Sequence, residues 1–218
     1  MCFVVVPLFT PCVACVCLVR RSMVTEEEMI RPKHAAPGDV IVLTKPLGTQ
    51  VAVNLQQWRR EPSNWELVSS LITHEQVEKA YLDATASMAR LNQNGARLMH
   101  KYGAKAGTDV TGFGILGHLT NLAESQDLDV HMELHTLPIL EHMDVVDKAL
   151  GSMFKLLQGR SAETSGGLMV VLPAENAEAF IKEFKELDGN DAWLIGRVVD
   201  GNGSKTASIA EDVTVISV

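Results

Sequence analysis

The most regular pattern of apolar and polar positions lies in the middle of the chain. Val77, Tyr81, Ala84, Met88, Leu91, Gly95, Leu98 and Tyr102 recur at alternating spacings of four and three. Such spacings line up on one face of a helix, because a helical turn takes about 3.6 residues. Thr73 with Gln76 forms a capping box at the start, and Gly103 stands where a left-handed terminal residue is expected. The pattern predicts one long helix whose small residues, Ala84 and Gly95, suit close packing on a sheet. It leaves Asn92 and Asn94 off the apolar face, toward solvent.

Shorter patterns fill in the rest. Val40 to Leu43 is a β-branched, apolar run that suits a strand covered on both faces, and "KPLG" then breaks it. "HMELHTLPIL" alternates as a strand does, "AWLIGRVVD" reads as another, and "ETSGGLMVVLP" reads as a polar turn entering a third. "ENAEAFIKEFKEL" is an amphipathic helix with Ala177, Phe180, Ile181 and Phe184 inward. "YGAKAGTDV" does not read as a strand. Helices and strands alternate irregularly, which predicts an α+β fold: a mixed β-sheet flanked by helices.

Composition then bounds the class. The chain has 218 residues, 46% hydrophobic and 21% charged, enough to bury a sizeable core. A net charge of -8 argues against nucleic acid as a partner, since phosphate neutralisation needs clustered Lys and Arg. All four cysteines, Cys2, Cys12, Cys15 and Cys17, lie in the first seventeen residues, so no disulfide framework spans the chain. No second Cys-x-x-Cys pair or spaced histidine pair completes a zinc site.

The apolar opening, "MCFVVVPLFTPCVACVCLV", has about the length of a membrane span. It lacks a positive leading region, and Pro7 and Pro11 interrupt it, so residues 1–22 are read as an atypical N-terminal segment rather than a membrane anchor. Residues 23–37 are read as a linker or remnant of a preceding domain, and residues 38–218 as the main domain. The expected location is cytoplasmic.

One stretch carries chemistry. "GTDVTGFGILGH" contains the spacing G-x-G-x-x-G, but the ribose-binding acid expected about twenty residues on is missing, as is a clear preceding strand. What remains is a glycine-bearing turn before a helix starting near Phe113, whose amides point at an anion, and an acid, Asp109, just ahead. An acid beside a phosphate turn makes sense if Mg²⁺ bridges the two, since that ion takes one or two carboxylates together with phosphate oxygens. The alternative is an Asp that caps the helix or closes a turn. Thr111, Gly112 and Gly114 are candidate phosphate-proximal positions; for Thr164, Ser165, Gly166 and Gly167 of the second glycine turn spacing alone favours an ordinary tight turn, with holding a phosphate or a neighbouring loop as the other reading. Lone histidines such as His118, His131 and His135 carry no ligand pattern.

Taken in order, "PGDVIVLTKPLGTQ", "ARLNQNGARLMHKYGAKAGTDVTGFGILGH" and "ETSGGLMVVLP" resemble the C-terminal half of selenophosphate synthetase (selenide, water dikinase), within the aminoimidazole-ribonucleotide synthetase superfamily. The resemblance runs from about residue 24 to near the C-terminus. It implies a magnesium-dependent homodimer making selenophosphate, AMP and phosphate from ATP, selenide and water. It also implies that Asp109 is a magnesium ligand working with aspartates of an N-terminal domain.

The chain departs from that family at its start. The family's glycine-rich loop with a reactive Cys or selenocysteine and a nearby Lys is not found, and "CVACVCLVRR" lacks its glycines and has Arg20 and Arg21 instead of the Lys. No catalytic residue is therefore assigned on this chain. Three readings follow: a synthetase chain inactive by itself, a non-catalytic module that binds or regulates a full-length synthetase, and another superfamily enzyme such as a thiamine-monophosphate kinase or hydrogenase maturation protein. The paired "TDVTGFGILGH" and "ETSGG" favour the first two over the third.

Overall fold

A computed structural model describes residues 29–218 and, ahead of them, the backbone of two short strands, β1 (Val6–Pro7) and β2 (Cys17–Leu18), paired antiparallel. The readings of a span, of the cysteines and of the segment up to residue 28 otherwise fall outside the described residues. No helix among the described residues is long and apolar enough to cross a membrane.

The main body is a six-stranded mixed sheet in the order β4-β6-β3-β7-β5-β8. Its strands are β3 (Asp39–Leu43), β4 (Ala106–Asp109), β5 (Val130–Ile139), β6 (Leu168–Pro173), β7 (Trp193–Asp200) and β8 (Thr206–Ser217). Every neighbouring pair is antiparallel except β5 with β8. The helices are α1 (Thr49–Trp58), α2 (Pro62–Glu66), α3 (His74–Ala89), α4 (Gln93–Lys101), α5 (Gly114–Glu124), α6 (Met143–Ala149) and α7 (Ala174–Asp188).

The α+β expectation holds, and the central strands show why. Successive side chains of a strand point to opposite faces. In β3, Ile41 and Leu43 enter one apolar cluster and Val42 the other; in β6, Met169 and Val171 divide likewise from Val170 and Leu172. The larger cluster lies under residues of α1, α3, α5 and α6, and the smaller under α4 and α7. Ala177, Phe180 and Phe184 face inward from α7 as expected, while Ile181 packs at the margin of that cluster.

The long helix of the sequence pattern is two helices. Val77, Ala80 and Ala84 pack on the larger cluster, whereas Leu98, Met99 and Tyr102 pack on the smaller one across the sheet. A straight helix cannot reach both faces, so the chain turns at Arg90, whose backbone is extended at φ -71 and ψ 130. Leu91 is the casualty of the break and is 75% exposed. The capping box at Thr73 and Gln76 forms as expected, and Gly103 takes a positive φ of 64. Gly95 lies against β6: a Cβ there would come 3.1 Å from Leu168 Cδ1.

A second correction concerns "YGAKAGTDV", which contains β4. That edge strand is short and glycine-bearing, so its alternation is too brief to read, and pairing with β6 fixes it. A Cβ at Gly107 would sit 2.6 Å from Met99 Cε, the end of a flexible side chain, and 3.2 Å from the Met169 carbonyl oxygen, so Met99 would have to shift to admit one. Helices α1, α2 and α6 and the edge strand β8 were not foreseen from the pattern, although Val51, Ala52 and Leu55 of α1 are buried at helical spacing. The approach to β3 is tied to the body, with Ala35 N donating to Gln126 Oε1 and Asp127 N to the Lys33 carbonyl.

Candidate functional site

Strand register brings the two glycine motifs together. Asp109 at the end of β4 stands opposite Leu168 at the start of β6, and Leu43 at the end of β3 stands opposite Met169. The segments that leave or enter these strands, 44–48, 110–113 and 163–167, therefore meet at one end of the sheet. Val110 N donates to the Gly167 carbonyl at 3.0 Å, and Glu163 N to the Thr111 carbonyl at 3.1 Å.

Asp109 is exposed, and among the described residues its carboxylate accepts no hydrogen bond from another group. It does not cap α5, whose N-cap is Phe113 with no side-chain cap bond. The cap alternative therefore fails, and the expected start of a helix near Phe113 is met by α5. A free carboxylate at a strand end fits one ligand of a Mg²⁺ ion, which would draw its remaining ligands from phosphate oxygens, water or other carboxylates. Among the described residues no group of three or more His, Cys, Asp or Glu forms a self-sufficient metal cluster.

Beside Asp109, Thr111 N and Thr111 Oγ1 lie 3.0 and 3.1 Å from His118 Nε2. Because the backbone N–H can only donate, Nε2 accepts, and the ring proton sits on Nδ1. Burial lowers the His118 pKa, against an opposing pull from Asp109, which agrees with a neutral ring. His118 thus holds the threonine rather than waiting on a ligand.

The glycines divide by role. Gly114 has a φ of 70, and a Cβ there would stand 2.5 Å from the Gly159 carbonyl oxygen. A Cβ on Gly166 would meet the Val110 oxygen at 2.1 Å, and one on Gly167 the Lys45 nitrogen at 2.5 Å. Packing between loops accounts for all three. Gly112 is exposed with nothing within 4 Å of a Cβ, and Thr164 and Ser165 are exposed at the tip of the second turn. Of the sequence candidates, Asp109, Gly112, Thr164 and Ser165 have open surface, and Thr111 is half-buried behind them.

Three residues missed from the sequence support these loops. Glu163 is buried and accepts from Gly48 N at 2.7 Å, Thr49 N at 3.0 Å and Thr49 Oγ1 at 2.5 Å. It thereby satisfies the first amides of α1, where the helix dipole favours an acid. Burial nevertheless pushes its carboxyl up to about 7, opposed by those three bonds. Lys45 is 2% exposed, and its Nζ donates to the Arg90 carbonyl at 2.6 Å and the Ser165 carbonyl at 2.8 Å. Burial, then the Arg90 guanidinium, brings its ammonium down to about 8. Asn92, expected in solvent, donates to the Gly166 carbonyl at 2.9 Å, and Asn94 to Asp188 at 3.0 Å. Nothing in local periodicity signals these contacts, because each partner is distant in the chain.

Comparison with known proteins adds a second line. Residues 36–208 match the family described as AIR synthase related protein, C-terminal domain. The chain is 51% identical over 205 residues to a selenide, water dikinase of Dictyostelium discoideum, covering 92% of this chain and 56% of that protein. It is 50% identical over 194 residues to human selenide, water dikinase 2, covering 88% and 43%. The chain thus spans about half the length of the curated relatives it matches. Among solved structures, the hydrogenase maturation protein HypE in complex with ATP matches with a TM-score of 0.57 at 21% identity, over 82% of this chain and 49% of that one. Thiamine monophosphate kinase from Aquifex aeolicus matches at 0.56 and 16%, over 87% and 55%. At such identity the two structures speak for the fold alone.

Proposed function

We propose that this chain, which belongs to the AIR synthase related protein family by its C-terminal domain and is of the selenide, water dikinase type, serves an ATP-dependent synthesis of selenophosphate. Residues 38–218 act as the C-terminal domain of such an enzyme, and residues 23–37 as the join to what precedes it. The observation that carries the reading is the free, exposed carboxylate of Asp109 at the meeting of two loops, in a chain half identical to curated selenide, water dikinases. ATP enters as the proposed substrate by way of those relatives, which are named as dikinases.

In this reading Asp109 is one ligand of a Mg²⁺ ion, and the ion supplies charge neutralisation for the phosphates when it is bound. The chain's own residues orient. His118 fixes Thr111, and Glu163 fixes the start of α1 against the second loop, while Thr164, Ser165 and the open Gly112 present the surface a phosphate group would approach. The remaining ligands and the ATP-binding half lie in the part of the relatives this chain does not match. The working unit is a homodimer in the cytoplasm.

Selenide-dependent AMP formation tests the proposal. The 218 residues alone are expected to give none, and activity is expected once the ATP-binding half of a relative is joined to them. No activity in the joined protein, with both parts folded, would overturn it. A second reading, a module that regulates a full-length synthetase, draws on the half-length match. It predicts that adding the chain changes a full-length synthetase's activity or subunit state, and no effect at any ratio counts against it.

A further inference from the structure

The break between α3 and α4 points its polar groups at one place. The Arg90 carbonyl, freed by the extended backbone, accepts from Lys45 Nζ, and the same ammonium donates to the Ser165 carbonyl. Two residues on, Asn92 Nδ2 donates to the Gly166 carbonyl. Two adjacent carbonyls of one exposed turn are thus held by side chains from β3's end and from the helix break. The ties continue outward. The Arg90 guanidinium donates to the Thr44 carbonyl at 3.0 Å and pairs with Asp188, and Leu168 N, just past the turn, donates to Thr44 Oγ1 at 2.8 Å.

The cation in this arrangement is unusual. A buried ammonium costs solvation, and its hydrogen-bond partners here are neutral carbonyls rather than a carboxylate. A residue of that kind is expensive as packing alone. What it accomplishes is to fix the height of Ser165, itself at a positive φ of 48, beside the strand that ends in Asp109. The Gly166 position has no room to slide, since it lies against the Val110 oxygen.

We propose that Lys45 and Asn92 are positioning residues that hold the Thr164–Ser165 turn at its working distance from Asp109, through the break between α3 and α4. The proposal rests on reading Asp109 and that turn as the metal and phosphate surface. Neither residue touches substrate in this account; each acts through the carbonyl it holds.

The test uses the full chain, with Mn²⁺ alone as a paramagnetic probe and amide hydrogen exchange as a metal-free measurement. Line broadening by a bound ion falls steeply with distance. In the unaltered chain, Mn²⁺ should broaden the amides of residues 108–110 and 164–167, and Asp109→Asn should remove both effects. Asn92→Ala, and Lys45→Met where it folds, should keep the broadening at 108–110 but lose it several-fold at 164–167. Their amides at 165–168 should also exchange at least tenfold faster, with those of β5 and α7 unchanged. If broadening and exchange at 164–168 stay as in the parent chain in Asn92→Ala, the positioning role is wrong. If Mn²⁺ broadens nothing near Asp109 in this chain, which by itself offers the ion a single carboxylate, the same titration of the chain joined to an ATP-binding half decides the metal reading, and the exchange rates still decide the positioning role.

Discussion

Asp109 is legible at the scale of single residues because its motif is local, whereas Lys45, Asn92 and Glu163 are not. A buried lysine followed by Pro46 looks from sequence like a loop residue, and only the fold shows its Nζ on two distant carbonyls. Glu163 carries a pH prediction. Its carboxyl ionises near 4.5 when unfolded but near 7 when folded, so the unfolded state binds fewer protons between those values. Stability should therefore be fully present below about pH 4.5 and fall as pH rises toward 7, by at most about 3 kcal/mol. Chemical denaturation at pH 5 and pH 7.5 checks this, and Glu163→Gln should flatten the slope between them. A second prediction concerns Asp109→Asn in the protein joined to an ATP-binding half. Magnesium-dependent ATP turnover should drop at least about tenfold, the scale on which even outer-shell losses act, and unchanged metal dependence would argue for a merely local role.

At the scale of elements, the periodicity of α3 and α4 was correct in kind and wrong in continuity. The same spacing of four and three runs through both helices, yet their faces serve opposite sides of the sheet. Spacing reports which face is apolar but not which cluster it meets. The glycines of α5's entry give a paired prediction. Gly114→Ala forces a side chain into a left-handed position against the Gly159 carbonyl and should cost about 2 kcal/mol or more in thermal or chemical unfolding. Gly112→Ala meets open space and should stay within about 0.5 kcal/mol of the parent. If the two changes cost the same, the division of the motif into a packing glycine and a surface glycine is mistaken.

At the scale of the whole molecule, the two-sided strands β3 and β6 made a covered sheet predictable, since both faces of "VIVL" and "LMVVL" are apolar. The order of six strands was not predictable, because antiparallel partners such as β3 and β6 lie over a hundred residues apart and their register depends on the loops between. That order is what places Asp109, the break after α3 and the "ETSGG" turn at one end of the sheet. The account's central claim is that this assembly lends Asp109 to a metal and phosphate site completed by a further ATP-binding half. The most direct measurement is selenide-dependent AMP release by the chain alone, by the chain joined to that half, and by the joined protein carrying Asp109→Asn. The account predicts none, measurable turnover and severely reduced turnover, in that order; turnover by the chain alone, or full turnover without the Asp109 carboxylate, would contradict it.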